Sequence, residues 1–206
     1  MIRLADNVYS WNKFNVEKGL NFNGALVVRA GEVLVVDPPP RSAGDEAFLD
    51  NKLKIKPTLA VVTNKHHLRD VQWWLERYQI PLAMHEAETN EYGLEVSRKL
   101  KDGDRVGAGC AIVHLPGKTE GEIGLHIEGD GGTLIVGDAL IGDPMGGLRF
   151  LPKEKIRDQD QLEKSLQKLR ALSFERLLPG DGEPILSGAK AAVLKFLDAL
   201  PETARA

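Results

Sequence analysis

The chain of 206 residues contains a single cysteine, no long apolar run and no strong excess of either charge. Each scarcity excludes something. Cys110 cannot close an internal disulfide, and a chain of this length can bury enough core not to need one. Its setting, Cys110-Ala-Ile-Val-His114, is apolar, so a buried, unreactive thiol is expected there and not a nucleophile. One cysteine also suits a reducing cytoplasm, which is the expected location. No stretch approaches the roughly 20 apolar residues that cross a bilayer. The start, Met1-Ile-Arg-Leu-Ala-Asp6, shows no charged head followed by an apolar core, so no secretory signal and no membrane partner are expected. Net charge is -3 with both signs scattered, which leaves no electrostatic footprint for nucleic acid. Several catalytic signatures are missing as well: a G-x-S-x-G elbow, a phosphate-binding G-x-x-x-x-G-K-S/T loop, H-E-x-x-H and paired C-x-x-C. The glycine-rich segments have no strand-G-x-G-x-x-G-helix context.

What is present is an ordinary globular composition, 42% hydrophobic against 28% charged, suited to one domain over residues 1–206. Phe22–Arg29 and Glu32–Asp37 are β-branched runs joined at Ala30-Gly31, which reads as a tight hairpin. Pro38-Pro39-Pro40 then stops the sheet, because proline has no amide donor for a ladder. A short helix is expected over Gly44–Leu53. Thr58–Thr63 is an apolar run suited to an interior strand covered on both faces. Val71, Trp74, Leu75 and Tyr78 follow at i, i+3, i+4 and i+7, one face of a helix, with Trp73 and Trp74 read as helix packing. Further on, strands are expected at Ala111–His114, Gly124–Ile127 and Thr133–Val136, the last two joined by Gly129-Asp-Gly-Gly132. Leu162, Leu166, Leu169 and Leu172 stripe a helix, Phe174–Leu178 reads as a strand, and Val193, Phe196, Leu197 and Leu200 stripe a closing helix. Periodicity supports an α/β fold and no more.

Five stretches then stand out: Asp37, Thr63-Asn-Lys-His-His-Leu-Arg-Asp70, His114-Leu-Pro-Gly-Lys118, Gly137-Asp138 and Pro179-Gly-Asp-Gly182. Their order and spacing resemble the metallo-β-lactamase superfamily, marked by an Asp closing an early strand, then T-H-x-H-x-D-H, P-G-H, G-D and a late G-H. The resemblance runs from Asn23 to the closing helix and implies a four-layer αββα sandwich whose strand-end loops hold one or two metal ions. The chain departs from the pattern in its ligands. Asn64, Leu68 and Arg69 stand where that family has His, Asp and His, Lys118 replaces the His of P-G-H, and Asp181 replaces the last His. Only His66 and Asp138 keep the expected identity. Zinc needs several neutral imidazoles and carboxylates with an open position for water, and too few remain. A shift of loop register could add His67 or Asp70.

Arg69 and Lys118 are cations that cannot ligate zinc in their protonated form, and their charge would repel an ion at low effective dielectric. The expectation is therefore that no metal or other cofactor is bound, and that Arg69 and Lys118 pair with Asp138 and Asp181 in its place. Such buried charges are tolerable only when paired and hydrogen-bonded. Lys118 could instead pair locally with Glu120 or Glu122. His66 is either a remnant ligand or a histidine bonded to a carboxylate. His67, next along an extended loop, should face the other way, exposed or packed under the helix. Asp70 should cap the helix that starts at Val71. Asp181 suits a turn and a pocket equally. Gly142–Gly147 could border the pocket as a lid.

The implied function is a hydrolase-like protein without a dinuclear zinc centre, binding a small anionic ligand in a pocket of Asn64, His67, Arg69, Asp70 and Asp181. If it is catalytic, His66, Lys118 and Asp138 carry the chemistry, with His66 as general base and Lys118 or Arg69 as oxyanion stabiliser. The alternatives are a hydrolase of esters, thioesters or phosphodiesters using a single divalent ion on His66, Asp138 and Asp181, or a structural protein acting as a homodimer. Carboxylate-rich ligation would favour manganese, iron or magnesium.

Overall fold

A computed structural model describes residues 1–88, 93–107, 109–144 and 147–201. It places seven strands in a first sheet, ordered as in the chain: β1 (Ile2–Ala5), β2 (Val8–Asn15), β3 (Leu20–Arg29), β4 (Glu32–Val36), β5 (Leu59–Val61), β6 (Leu82–His85) and β7 (Val96–Leu100). Strands β1 to β4 run antiparallel, and β4 to β7 run parallel. The second sheet contains β8 (Arg105–Val106), β9 (Cys110–His114), β10 (Ile123–Ile127), β11 (Thr133–Val136) and β14 (Arg176–Pro179), in the order β14-β11-β10-β9-β8. Only β11 and β14 pair in parallel there. A two-stranded ribbon, β12 (Ile141–Gly142) with β13 (Leu148–Arg149), completes the strands.

Alternation along the strands builds three separate cores, as the period of two in a strand requires. Ala25, Val27, Leu34 and Val36 face Ile112, Leu125 and Ile135 across the space between the sheets. Their neighbours Leu26, Val33 and Val35 face outward onto α2 (Val71–Tyr78), where Val71 and Trp74 are fully buried. On the far side, Leu134 and Val136 pack against α3 (Gln159–Leu166) and α4 (Ala189–Asp198) through Leu162, Leu166, Val193 and Leu197. Three cores between four layers make the αββα sandwich that the loop motifs implied.

The expected elements are found with local adjustments. Ala30 and Gly31 both take positive φ, 49° and 84°, the mirror-image turn whose twist matches its flanking strands. The 44–53 helix is shorter than its pattern: α1 (Ala43–Ala47), closed by a Ser42–Asp45 capping box, passes into a π-turn over Phe48–Leu53. The 162–172 stripe likewise tightens from α3 into a 3-10 turn over Gln167–Ala171. Trp74 packs on Trp11 at 5.6 Å between ring centroids, and Arg41 stacks on Trp73 at 3.6 Å, so both tryptophans serve packing. Cys110 is fully buried, and burial pushes its thiol up to about 11. Of the 142–147 loop, Met145 and Gly146 lie outside the described residues. No helix among the described residues is long and apolar enough to cross a membrane.

Candidate functional site

Parallel pairing sets where the site must lie. The carboxyl ends of β4 and β5 are adjacent, which brings Asp37 beside Thr63 and Asn64. Val136 pairs with Pro179 in the parallel β11–β14 ladder, so Asp138 and Asp181, each two residues further, leave the second sheet side by side. Asn23 joins the two sheets, its amide donating to the carbonyls of Pro179 (2.9 Å) and Gly182 (2.7 Å). All the strand ends that carry the five motifs therefore open at one edge of the sandwich, where open α/β sheets hold ligands.

His67 stands at the centre. It is 1% exposed, and both ring nitrogens meet acceptors. Nδ1 lies 2.9 Å from Asp37 Oδ2 and 3.1 Å from Thr63 Oγ1. The Thr63 hydroxyl gives its proton to Asp37 Oδ2 (2.5 Å), so towards Nδ1 it can only accept. Nδ1 must therefore carry a proton. Nε2 lies 3.2 Å from Asp138 Oδ1, and the other oxygen of that carboxylate, Oδ2, lies 2.7 Å from Lys118 Nζ. Asp138 is consequently ionised and Nε2 must donate to it. His67 is an imidazolium clamped between two carboxylates. Burial alone would lower its pKa, but Asp138 and Asp37 outweigh burial and hold it up at about 10. Burial also works against ionisation of Asp138, yet His67 and Lys118 hold that carboxyl far below its usual range.

A second pair lies alongside. The Arg69 guanidinium bonds Asp181, reaches the carbonyls of Asn23 and Gly180, and stacks on the Phe22 ring at 4.2 Å. Burial pushes the Asp181 carboxyl up, against the pull of His67 and Arg69. Asp37 and Arg69 both take positive φ, 45° and 32°, in the left-handed region that favours glycine. Each costs on the order of 1 kcal/mol, strain that is usually retained where side-chain placement matters. Two glycines make the close approach possible. A Cβ on Gly180 would lie 2.2 Å from His67 Cε1, and one on Gly137 would lie 2.3 Å from Glu122 Oε1.

The expected cation–carboxylate pairs, Arg69 with Asp181 and Lys118 with Asp138, are both formed and both buried. Lys118 does not pair with Glu120 or Glu122. The two histidines exchange the places expected of them. Residues 65–67 form a 3-10 turn rather than an extended loop, so the alternation argument fails and His67, not His66, enters the centre. His66 is exposed at the rim, its pKa lowered by burial and by Lys118. Asn64 is buried, accepting from His66 N (2.8 Å) and donating to Glu122 Oε1 (3.2 Å). Asp70 does occupy the N-cap position of α2, but its side chain makes no cap bond. It pairs with Arg41 at 2.6 Å and does not line the pocket. Glu122, expected only as an alternative local partner of Lys118, instead lies inside the site. It is fully buried, with Oε1 also accepting from Asp138 N (2.8 Å) and Oε2 unpartnered. Burial, then Asp138, raises its carboxyl well above the usual range. Only Gly137, which leaves room for it, hinted at such a neighbour.

Among the described residues, one group has metal-ligand geometry: His67, Asp138 and Asp181, with one donor atom from each within 4.8 Å of the others. His66, expected in that set, is outside it. As arranged, His67 has no lone pair to offer, each Asp138 oxygen faces a donor, and Asp181 Oδ1 is bonded by Arg69. Outside the cluster runs a cleft of about 620 Å³ bordered by Lys118, Asp138, Asp181, His66, Leu20 and Leu151. A neighbouring cleft of about 410 Å³ shares His66, Lys118, Glu154 and Lys155 with it.

Comparison with known proteins agrees with this architecture. A family model described as "Metallo-beta-lactamase superfamily" matches residues 3–200. A search of curated protein sequences finds no match. Among solved structures, a metallo-β-lactamase from Pontibacter korlensis superposes with a TM-score of 0.76 at 14% identity, covering 95% of each chain. A β-lactamase domain protein from Burkholderia ambifaria gives 0.71 at 20% identity, over 96% of this chain and 75% of that one. The di-iron-bound form of TTHA1623 gives 0.67 at 22% identity, over 89% of this chain and 98% of that one.

Proposed function

The chain belongs to the metallo-β-lactamase superfamily, and from that premise we propose that its pocket operates without a dinuclear metal centre, as a binding site for a small organic anion. The observation that carries this reading is Asp138 itself. Lys118 Nζ and His67 Nε2 each hold one of its oxygens, so the positive charge a metal would bring is already supplied by side chains. The residues present do not fit a metal ion: binding would require removing a proton from His67 and displacing Lys118 and Arg69 together. Lys118 supports the ligand half of the reading. Its ammonium has three donors, Asp138 takes one, and the side chain borders both clefts. If an ester were turned over here, His66 would be the base at the rim, and Lys118 would meet the developing oxyanion. Arg69 is spent on Asp181.

The test is metal content. Protein from cells grown with added zinc, iron and manganese, purified without chelators, should contain far less than one metal ion per chain by plasma mass spectrometry. A second reading draws on the His67–Asp138–Asp181 geometry: a hydrolase with one manganese, iron or magnesium ion. It requires a stoichiometric ion, and Asp138→Ala should then abolish both metal uptake and ester or phosphodiester turnover. Stoichiometric metal would sink the first reading and establish the second.

A further inference from the structure

The two clefts form one trench, because His66, Lys118, Glu154 and Lys155 border both, and its two lobes differ in character. The larger has an apolar wall of Leu20, Leu151 and Pro152. The smaller is lined mainly by charged residues, with Ala87 and Ile156 as its apolar members, and it has Thr119, whose Oγ1 is buried without a hydrogen-bond partner. An unpartnered buried hydroxyl costs on the order of 1–3 kcal/mol and marks a place where a ligand atom could repay it. Lys118 precedes it in the chain and lines the same lobe, with Asp138 taking one of its three ammonium donors. Adjacent donors of this kind suit a carboxylate, which accepts at both oxygens.

Around the trench both signs are present, Lys18, Lys65, Arg149, Lys155 and Arg157 with four glutamates, and the Lys118–Thr119 pair of donors matches a single carboxylate head. Both volumes fall within the range of small-molecule sites.

Building on the anion-binding reading above, we infer that the ligand is an amphiphilic monocarboxylate, its carboxylate held by Lys118 and Thr119 in the smaller lobe and its apolar body lying along Leu20, Leu151 and Pro152 in the larger. No covalent step is involved. The carboxylate satisfies the Thr119 hydroxyl, and the apolar wall supplies the remaining affinity through water released from both surfaces.

Calorimetric titration of the full chain with octanoate, acetate, octyl phosphate, octylammonium, 1-octanol and inorganic phosphate tests this. Octanoate should bind, and acetate should bind at least about a hundredfold more weakly, since even partial burial of six methylenes is worth that much. Octyl phosphate should be weaker than octanoate, and octylammonium and octanol should show no binding. Thr119→Val should weaken octanoate about three- to tenfold, the value of one hydrogen bond, with the melting temperature preserved, while Thr119→Ser should retain affinity. Lys118→Met should abolish binding; if that variant fails to fold, the Thr119 pair still decides. Octanol or octylammonium equal to octanoate, or Thr119→Val without effect, would overturn the proposal. If acetate and phosphate bind through Lys118 but octanoate gains nothing, the apolar lobe is wrong and the anion site survives. Stoichiometric metal would instead remove the reading beneath it.

Discussion

Replacing Lys118 with methionine keeps most of the side chain's volume and removes only its charge. In the wild-type chain Nζ sits 2.7 Å from Asp138 Oδ2, with the two side chains 5% and 6% exposed. Removing one member of a buried pair leaves the other charged and unsatisfied, which costs about 3–5 kcal/mol. Asp138 keeps His67 Nε2 at 3.2 Å and the backbone bond between its own N–H and Glu122, so the loss should fall near the lower bound. Asp138→Asn should cost a similar amount, because it leaves the Lys118 ammonium buried with a weaker partner. The double variant should be destabilised by less than the sum, with a coupling of about 1.5–3 kcal/mol, the worth of a hydrogen bond between charged groups. In urea at pH 7, with a slope of roughly 2–3 kcal/mol per molar, a 3 kcal/mol loss moves the unfolding midpoint by about 1–1.5 M. Single variants that each lose under about 0.5 kcal/mol, with an additive double, would refute the claim that this pair replaces an ion.

Three further outcomes follow from the same geometry. His67 has a folded pKa of about 10 against 6.5 unfolded, so its contribution is complete below pH 6.5 and is lost as pH rises towards 10; urea midpoints measured from pH 6 to 10 should fall, and in His67→Gln that slope should disappear. His85 and His114 stack at 3.9 Å and 14° across the two sheets, and burial, then His114, lowers His85 to about 4. Stability should therefore fall as pH drops from 6.5 towards 4, and His114→Gln should lessen that fall in melting temperatures taken across the range. Gly180→Ala drives a methyl into His67 Cε1 and should cost about 2–3 kcal/mol by urea unfolding.

Much of the fold was legible because strand alternation and helix stripes report burial directly. The β-branched run Glu32–Asp37 read as a strand, and in the structure it is one, with Leu34 and Val36 facing the other sheet and Val33 and Val35 facing outward. The short strand Leu82–His85 was not read, since all four residues are buried and nothing alternates. The cation–carboxylate pairs were legible from residue type at motif positions, although Glu120 and Glu122 competed with Asp138 for Lys118 until the structure placed Nζ 2.7 Å from Asp138. The exchange of His66 for His67 was not. Which histidine turns inward depends on the 3-10 turn over 65–67, fixed partly by Asn64 accepting from His66 N and by Glu88 accepting from Lys65 N at 2.5 Å. Glu88 arrives from 23 residues away, and no local pattern announces it. The place of Glu122 inside the site was missed for the same reason: its partners Asn64 and Asp138 come from other loops.

The most direct measurement is the protonation of His67 itself, by nitrogen-15 NMR of histidine-labelled protein between pH 6 and 9. Two protonated ring nitrogens across that range, unchanged by added zinc or manganese, are the result expected of a cation clamped by Asp37 and Asp138. A neutral ring whose Nε2 resonance shifts stoichiometrically when metal is added would contradict it.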